Sequence, residues 1–268
     1  MRSLPGRLGL LGHPLDHSLS PRMQNAALDV AGIALRYEAI DVHPHDLGTA
    51  LAALAAVNGA GNVTIPHKEA VAARCARLEP TAARCSAVNT FWHEHGALVG
   101  DNTDVEGFHR AVVRLLGRAP ANARVALLGA GGGAAAVLAA VERWPDSSAR
   151  VYNRSMTRSE ELCDRFAGVA TVAEDPMSAV RNATLVVNAT PVGKRDDEQP
   201  VNVELILAHA AVVDLVYRPG ETAWVRAARA AGNPACDGLE MLLEQGALAF
   251  ERWFGIVPDR EAMRRAMA

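Results

Sequence analysis

Two short polar stretches contain a lysine and a carboxylate that could move a proton together. Lys68 lies in GNVTIPHKEA, residues 61–70, and Asp104 lies in GDNTDVEG, residues 100–107. A lysine that is partly removed from water can accept or return a hydroxyl proton, and a neighbouring carboxylate can hold it in place. The alternative is an ordinary solvated lysine at a helix start, which is the commoner situation.

The elements around this pair alternate between strand and helix. The predicted elements of the first hundred residues are strands over 8–11, 36–42 and 61–65, helices over 20–32, 45–57 and 67–78, and a hairpin over 87–100 that turns at His95-Gly96. Ser20 followed by Pro21 predicts an N-cap and a first helical residue. Alternation of this kind favours a largely parallel sheet, in which Lys68 and Asp104 each follow a strand.

A second unit is predicted from residue 108 onwards, and it contains a glycine-rich turn. RVALLGAGGGAAAVLAAVERW, residues 124–144, predicts a strand, a turn and a helix. Glycine allows a close approach to a pyrophosphate, and the helix N-terminus offers free N–H groups to its charge. The predicted nucleotide-binding turn consists of Gly129, Ala130, Gly131, Gly132 and Gly133.

The end of the next strand distinguishes the two nicotinamide cofactors. An NAD site has an acidic residue there to accept from the ribose 2′-hydroxyl, whereas this chain has Asn153-Arg154, with Arg158 four residues further on. A planar guanidinium suits the additional phosphate of NADP, and an acid would repel it. The sequence therefore favours NADP, the alternative being two solvated arginines at a helix start.

These patterns predict an α/β protein of two domains. Further strands with turns at residues 184–193 and 211–220 complete the alternation of the second domain, which is typical of a Rossmann-type doubly wound parallel sheet. The first domain comprises residues 1–107 and is completed by amphipathic helices over 238–268, and the second comprises residues 108–237.

Composition excludes several other classes of function. The net charge is −3 and only 4% of the 268 residues are aromatic, so we expect no nucleic-acid partner. The N-terminus does not have the pattern of a signal peptide, and no apolar stretch is long enough to span a membrane. The four cysteines are scattered, which fits a reducing cytoplasm. His93 and His95 lack an acidic or cysteine partner, so we expect no metal site.

Nine motifs in order resemble the shikimate dehydrogenase family over nearly the whole chain. The matching stretches are HSLSP (17–21), GNVTIPHK (61–68), AVNT (87–90), DNTD (101–104), GAGG (129–132), NR (153–154), NATPVG (188–193), DLVYRPGET (214–222) and GLEMLLEQG (238–246). The resemblance implies a cytoplasmic NADP-dependent oxidoreductase of the shikimate pathway, which leads to chorismate and the aromatic amino acids. It interconverts 3-dehydroshikimate and shikimate in a cleft between two α/β domains, as a monomer or homodimer.

The resemblance also implies roles for individual residues. Lys68 and Asp104 match the catalytic pair of the family. The positions that match substrate contacts are Ser18, Ser20, Thr64, Asn89, Asp104, Tyr217 and Gln245. The positions that match cofactor contacts are Gly129, Ala130, Gly131, Gly132, Gly133, Asn153, Arg154, Ser155, Arg158, Leu215 and Gly238.

Three positions depart from the pattern of the family. Gln24 stands where the family commonly has histidine, Ala135 where it often has arginine or lysine, and Lys194 where it usually has methionine. Glutamine at the first position also occurs in some quinate-using relatives. Quinate or aminoshikimate dehydrogenase is therefore the alternative activity. A metabolite sensor without catalysis is a further alternative, against which the presence of both Lys68 and Asp104 argues.

Overall fold

The computed structural model of the protein describes residues 4–195 and 198–268. The chain folds into two compact units. One runs to Gly107 and resumes at Leu242, and the other comprises Phe108–Met241. The chain passes between them inside two helices, α5 (Asp104–Leu116) and α10 (Leu239–Phe254). The second unit thus includes residues 238–241, which contain the first three residues of α10.

The first unit is a mixed sheet covered by helices. Its strands are β1 (Leu8–Gly12), β2 (Tyr37–Asp41), β3 (Ala60–Val63), β4 (Arg77–Leu78), β5 (Thr90–Glu94) and β6 (Ala97–Asp101). Its helices are α1 (Ser20–Val30), α2 (Leu47–Ala55), α3 (Lys68–Ala72), α4 (Pro80–Cys85), the start of α5, most of α10, and α11 (Arg260–Met267). The strand order is β2-β1-β3-β5-β6-β4, with β5 antiparallel to both of its neighbours and the other pairs parallel.

The helices at the chain end contribute to the core of this first unit. Phe250 of α10 and Met263 of α11 lie in one buried cluster with Leu8 and Leu10 of β1 and Met23 of α1. Every residue of β1 is buried, as expected for a strand that is covered on both faces. Burial in this shared cluster therefore holds α1, α10 and α11 against β1.

The helix predicted over residues 67–78 is wrong in its second half. The structure ends α3 at Ala72, and Arg77 and Leu78 form β4, which pairs with Val99 and Gly100 of β6. The apolar spacing of this stretch suits a helix, but its backbone groups pair with the sheet edge instead. Tertiary pairing has overridden the local pattern.

The second unit confirms the doubly wound prediction. Its strands are β7 (Arg124–Leu128), β8 (Ser148–Tyr152), β9 (Ala170–Val172), β10 (Leu185–Asn188), β11 (Ala211–Asp214) and β12 (Ala235–Cys236). Its helices, besides the shared α5 and α10, are α6 (Gly132–Val141), α7 (Met156–Arg165), α8 (Pro176–Val180) and α9 (Ala223–Ala230). All pairs are parallel, and the order β12-β11-β10-β7-β8-β9 changes direction between β7 and β10. Ligands bind at such a switch point, outside the carboxyl ends of the strands.

Helix α6 lies in the interior of the second unit. Its residues from Ala134 to Val141 are all buried, which explains its uniformly apolar sequence. Neither α6 nor any other helix within residues 4–195 and 198–268 has both the length and the apolar character that a membrane span requires.

Candidate active site and nucleotide site

Lys68 and Asp104 form an ion pair in the first unit. Lys68 is the first residue of α3 and Asp104 the first residue of α5. The Lys68 Nζ donates to Asp104 Oδ2 at 2.5 Å, and the two side chains are 17% and 6% exposed, respectively. A carboxylate at the N-terminus of a helix is favoured by the free N–H groups there. The structure thus does not support the alternative of a freely solvated Lys68.

Asn89 holds the second oxygen of Asp104. Its Nδ2 lies 2.8 Å from Asp104 Oδ1, 2.9 Å from Thr103 Oγ1 and 3.2 Å from Gln245 Oε1, so these acceptors share two amide hydrogens. Its Oδ1 accepts from the backbone N–H of Thr103 at 2.7 Å. The Nε2 of Gln245 donates to the carbonyl of Leu242. Three of the predicted substrate contacts, namely Asn89, Asp104 and Gln245, therefore belong to one hydrogen-bonded cluster.

Two buried asparagines, Asn62 and Asn102, support this cluster, and sequence reasoning missed both. Asn62 lies on β3, the strand that precedes Lys68. Its Nδ2 donates to the carbonyl of Asn89 and to Thr90 Oγ1. Asn102 Oδ1 accepts from the N–H of Asp104, and its Nδ2 donates to the carbonyl of Ala87. Two signals in the sequence could have identified them. Asn62 is a polar amide in the predicted buried strand GNVTI, and Asn102 lies two residues before a helix start.

The serines of HSLSP lie at the start of α1. The predicted N-cap role of Ser20 is wrong, because the helix begins at Ser20 and its N-cap is Leu19. Ser18 Oγ accepts from the N–H of Ser20 at 3.3 Å. This hydroxyl, which lies outside the helix, therefore satisfies the first backbone donor of α1. Ser20 is buried and Ser18 is half-buried. Thr64, also half-buried, follows β3, and its N–H donates to the carbonyl of Leu11.

The glycine turn of the second unit presents open backbone at the start of α6. Gly129 has φ of +115°, and a Cβ there would lie 2.8 Å from the carbonyl oxygen of Ala189, so a larger residue would force these loops apart. Gly131 is the N-cap of α6 without a side-chain capping bond, and the space beside its Cα is open. Together with Ala130, Gly132 and Gly133, these residues form a turn that fits a diphosphate.

Arg154 and Arg158 present free guanidinium groups beyond the end of β8. Both are exposed, and within the described part of the chain neither forms an ion pair or a hydrogen bond through its side chain. Asn153 Nδ2 donates to the carbonyl of Ser155, the N-cap of α7, which orders the turn that carries Arg154. Two unneutralised cations at the end of the strand beside the glycine turn would suit a phosphate group.

Leu215, Tyr217 and Gly238 lie together in the second unit. Gly238 donates its N–H to the carbonyl of Val216, and a Cβ on Gly238 would lie 3.4 Å from Tyr217 Cδ1. A Cβ on Gly133 would lie 3.6 Å from Leu215 Cδ1, so Leu215 also adjoins the start of α6. The proposed nicotinamide contacts are thus close to the glycine turn. Tyr217 belongs to this unit, unlike the other predicted substrate contacts.

Asp214 organises the two loops that surround this group. It is fully buried at the end of β11 and accepts from Thr222 Oγ1, Asn188 Nδ2 and the N–H of Val216, at 2.8, 2.8 and 3.0 Å. Thr222 caps α9. Burial raises the pKa of Asp214 to about 6, although its three hydrogen bonds oppose that effect.

Replacing Asp214 by Asn should alter the pH dependence of stability. The pKa of Asp214 is about 6 in the folded protein and near 4 in the unfolded chain, so the folded state binds this proton more tightly. Unfolding free energy therefore falls as pH rises from about 4 through about 6, by roughly 3 kcal/mol from this group. Because Asp214→Asn lacks that loss, its stability relative to wild type should rise from pH 4 to pH 7, as measured by denaturant unfolding.

Asp41→Asn is the control of opposite sign. The Asp41 carboxylate accepts from His13 at 2.6 Å and from the N–H of Leu15, and these bonds lower its pKa. A carboxyl with a lowered pKa stabilises the folded protein above its ordinary pKa, and this stabilisation is lost in acid. The unfolding free energy of Asp41→Asn relative to wild type should therefore fall as pH rises. If Asp214→Asn followed the wild-type pH profile, the proposed ionisation of Asp214 would be refuted.

Known proteins match the chain at its beginning, at its end and, for full-length relatives, over nearly its whole length. Residues 10–91 match the model of the shikimate dehydrogenase substrate binding domain, and residues 238–268 match that of the shikimate 5'-dehydrogenase C-terminal domain. The chain is 45% identical over 266 residues to the shikimate dehydrogenase (NADP(+)) of Mesorhizobium japonicum, covering 96% of this chain and 93% of that protein. The chain belongs to the shikimate dehydrogenase family.

Solved structures of relatives cover nearly the whole chain. Shikimate 5-dehydrogenase from Thermus thermophilus, in complex with NADP(H) and shikimate, matches with a TM-score of 0.86 at 38% identity, over 97% of this chain and 98% of that one. Quinate dehydrogenase from Corynebacterium glutamicum, in complex with NAD, matches with a TM-score of 0.85 at 32% identity, over 97% of each chain. The similar solved structures therefore include one enzyme bound to NADP(H) and shikimate and one quinate dehydrogenase bound to NAD.

Proposed function

We propose that the protein catalyses the NADP-dependent, reversible reduction of 3-dehydroshikimate to shikimate. The observation that carries the proposal is the buried contact between Lys68 and Asp104, held by Asn89, in a chain of the shikimate dehydrogenase family. The position of a lysine and a carboxylate at two helix starts supports a proton-transfer role. Their presence argues against a metabolite sensor that has lost catalysis.

The residues of the second unit fit NADP. The open turn around Gly131 offers backbone N–H groups to the diphosphate, and Arg154 and Arg158 offer two unpaired charges to the 2′-phosphate. Asn153 and Ser155 order the turn from which Arg154 projects. Leu215 and Gly238 provide an apolar side chain and a close backbone for the nicotinamide. When bound, the reduced cofactor NADPH would supply the hydride for reduction, and the oxidised form NADP+ would accept it for oxidation.

Lys68 and Asp104 perform the proton transfer in this scheme. During oxidation, Lys68 accepts the proton of the reacting hydroxyl as the hydride leaves, and during reduction the ammonium returns it to the forming alkoxide. Asp104 fixes Nζ through the 2.5 Å bond and stabilises the ammonium form. Because Asn89 holds the other carboxylate oxygen, the pair has little freedom to turn away.

The polar side chains of the first unit suit the substrate, which has one carboxylate and several hydroxyls. Asn89 and Gln245 each provide an amide that can donate or accept, and Thr64 adds a hydroxyl. Ser18 and Ser20 provide hydroxyls for the carboxylate. Tyr217, in the second unit, remains a proposed contact on the strength of the family resemblance.

The four cysteines and the composition of the sites bear on where and how the protein acts. Cys75, Cys85, Cys163 and Cys236 are all free thiols, which supports a cytoplasmic location. Residues of one chain provide both proposed ligand sites, so the activity is expected in a monomer or in each subunit of a homodimer.

Steady-state kinetics with shikimate and quinate, each with NADP and NAD, test the proposal. We expect the highest kcat/KM with shikimate and NADP, and a preference for NADP of roughly 10- to 150-fold from charge-assisted contacts to the 2′-phosphate. The similarity to quinate dehydrogenase from Corynebacterium glutamicum favours quinate as the second candidate. A higher kcat/KM for quinate with NAD would transfer the assignment to that activity.

A further inference from the structure

Gln24 ties α1 to α10 through a buried hydrogen bond. Its side chain is fully buried, and its Nε2 donates to the carbonyl oxygen of Gly246 at 2.9 Å. Its Oε1 is buried and accepts no hydrogen bond from the described residues. A buried amide with one unmet acceptor is costly, and an apolar side chain of the same shape would avoid that cost. Stability alone therefore does not explain a glutamine here.

Side chains of α1 pack directly on the backbone of α10 at this contact. A Cβ on Gly246 would lie 2.2 Å from Met23 Cε and 3.2 Å from Gln24 Nε2, so α1 occupies the space that a side chain would need. A larger residue at position 246 would displace the end of the Met23 side chain and press on the Gln24 amide. The Gln24 hydrogen bond is therefore a direct polar link between α1 and the segment of α10 that carries Gln245.

Gly246 directly follows Gln245, which belongs to the cluster around Lys68. Gln245 is 7% exposed, and its Oε1 lies 3.2 Å from Asn89 Nδ2. The same Asn89 nitrogen lies 2.8 Å from Asp104. A shift of α10 by a few tenths of an ångström at Gly246 would therefore change the geometry of Gln245 towards Asn89 and towards a bound substrate.

We propose that Gln24 is a positioning residue that sets the affinity of the active site for its substrate through Gly246 and Gln245. The inference rests on the proposed function, since it assigns Gln245 to a ring hydroxyl of the substrate. Gln24 does not touch the substrate in this scheme. Its amide holds α10 at the distance at which Gln245 can bond both Asn89 and the ring.

Gln24→Met separates positioning from stability. Methionine has a similar shape but no hydrogen-bond donor. KM for shikimate should therefore rise about 5- to 30-fold, which corresponds to about 1–2 kcal/mol. The KM for NADP should not change. Unfolding free energy should change little, because the variant loses one hydrogen bond and also loses the unmet Oε1. Gln24→His, which retains an N–H donor, should recover most of the wild-type KM.

Asn25→Ala is the matched control on the same helix. Asn25 bonds both backbone groups of Tyr37 and so ties α1 to β2 instead of α10. This variant should lower stability while its KM for shikimate stays within about twofold of wild type.

A double-mutant cycle with Gln245→Ala decides the route of the effect. If Gln24 acts through Gln245, then Gln24→Met should raise KM in the wild-type background and add little in the Gln245→Ala background. An equal rise in both backgrounds, or a loss of stability with unchanged KM in Gln24→Met, would overturn the inference. Wild-type turnover of shikimate and quinate is measured first. Absence of both activities would contradict the proposed function. If the wild type is active but Gln24→Met raises KM equally in both backgrounds, only the role of Gln24 is contradicted.

Discussion

Lys68→Ala should lower kcat by about 10²- to 10⁴-fold, the usual range for a positioned acid or base. The side chain is 17% exposed and donates to Asp104 Oδ2, and no other lysine is available except Lys194 in the second unit. Because its main interaction arises as the hydroxyl proton moves, KM for shikimate should change much less than kcat. Lys68→Met should be equally slow, since length without an amine restores nothing.

Lys194→Ala is the control for this loss. Lys194 is exposed, and its removal should leave kcat within about twofold of the wild type, as expected of a surface substitution. Both variants should be compared at saturating NADP and after their folding has been verified by circular dichroism. A folded, NADP-binding Lys68→Ala variant with near-normal kcat would show that Lys68 is an ordinary surface lysine.

Asp104→Asn should also reduce kcat, and the two losses should not multiply. The amide keeps the size of the carboxylate and can still bond Asn89, but it no longer stabilises the lysine ammonium. When two residues serve one step, the double variant loses less than the product of the single losses. Full additivity would show that the 2.5 Å contact between them has no part in the reaction.

The elements that carry the candidate site were predictable where the pattern was local. Strand–helix alternation and the glycine turn predicted the second sheet. Lys68 and Asp104 were each predicted to follow a strand, and in the structure each is the first residue of a helix. The short elements β9 and α8 were missed, since three and five residues carry too little periodicity to be recognised. The β4 strand was missed for a different reason, because pairing with β6 decided its conformation.

Contacts between residues distant in sequence could not be predicted from local patterns. Gln24 and Gly246 are separated by 222 positions in the sequence. Their hydrogen bond exists because the fold packs α1 against α10, which no local pattern predicts. Asn62 similarly reaches Asn89 and Thr90 across the β3–β5 pair. In contrast, the role proposed for Arg154 depends mainly on its place after β8, and the structure adds that its guanidinium has no partner in the described residues.

Removal of that guanidinium should change cofactor preference more than any other single substitution in the second unit. Arg154→Ala should raise KM for NADP by about 10- to 150-fold, because a charge-assisted contact to the 2′-phosphate is worth about 1.5–3 kcal/mol. KM for NAD should remain nearly constant, since NAD has a hydroxyl in place of that phosphate. The ratio of the two KM values therefore isolates the phosphate contact from any general damage to the site.

Two further variants and a salt series test that explanation. Arg158→Ala should produce a smaller shift of the same kind, and Arg165→Ala, at the other end of α7, should leave both KM values unchanged. The NADP preference of the wild type should also weaken as ionic strength rises, because an exposed ion pair is screened by salt, whereas Arg154→Ala should show little salt dependence. Equal losses with NADP and NAD in Arg154→Ala would mean that the residue supports the turn after β8 instead of binding the phosphate, and the assignment of NADP would then need another basis in the chain.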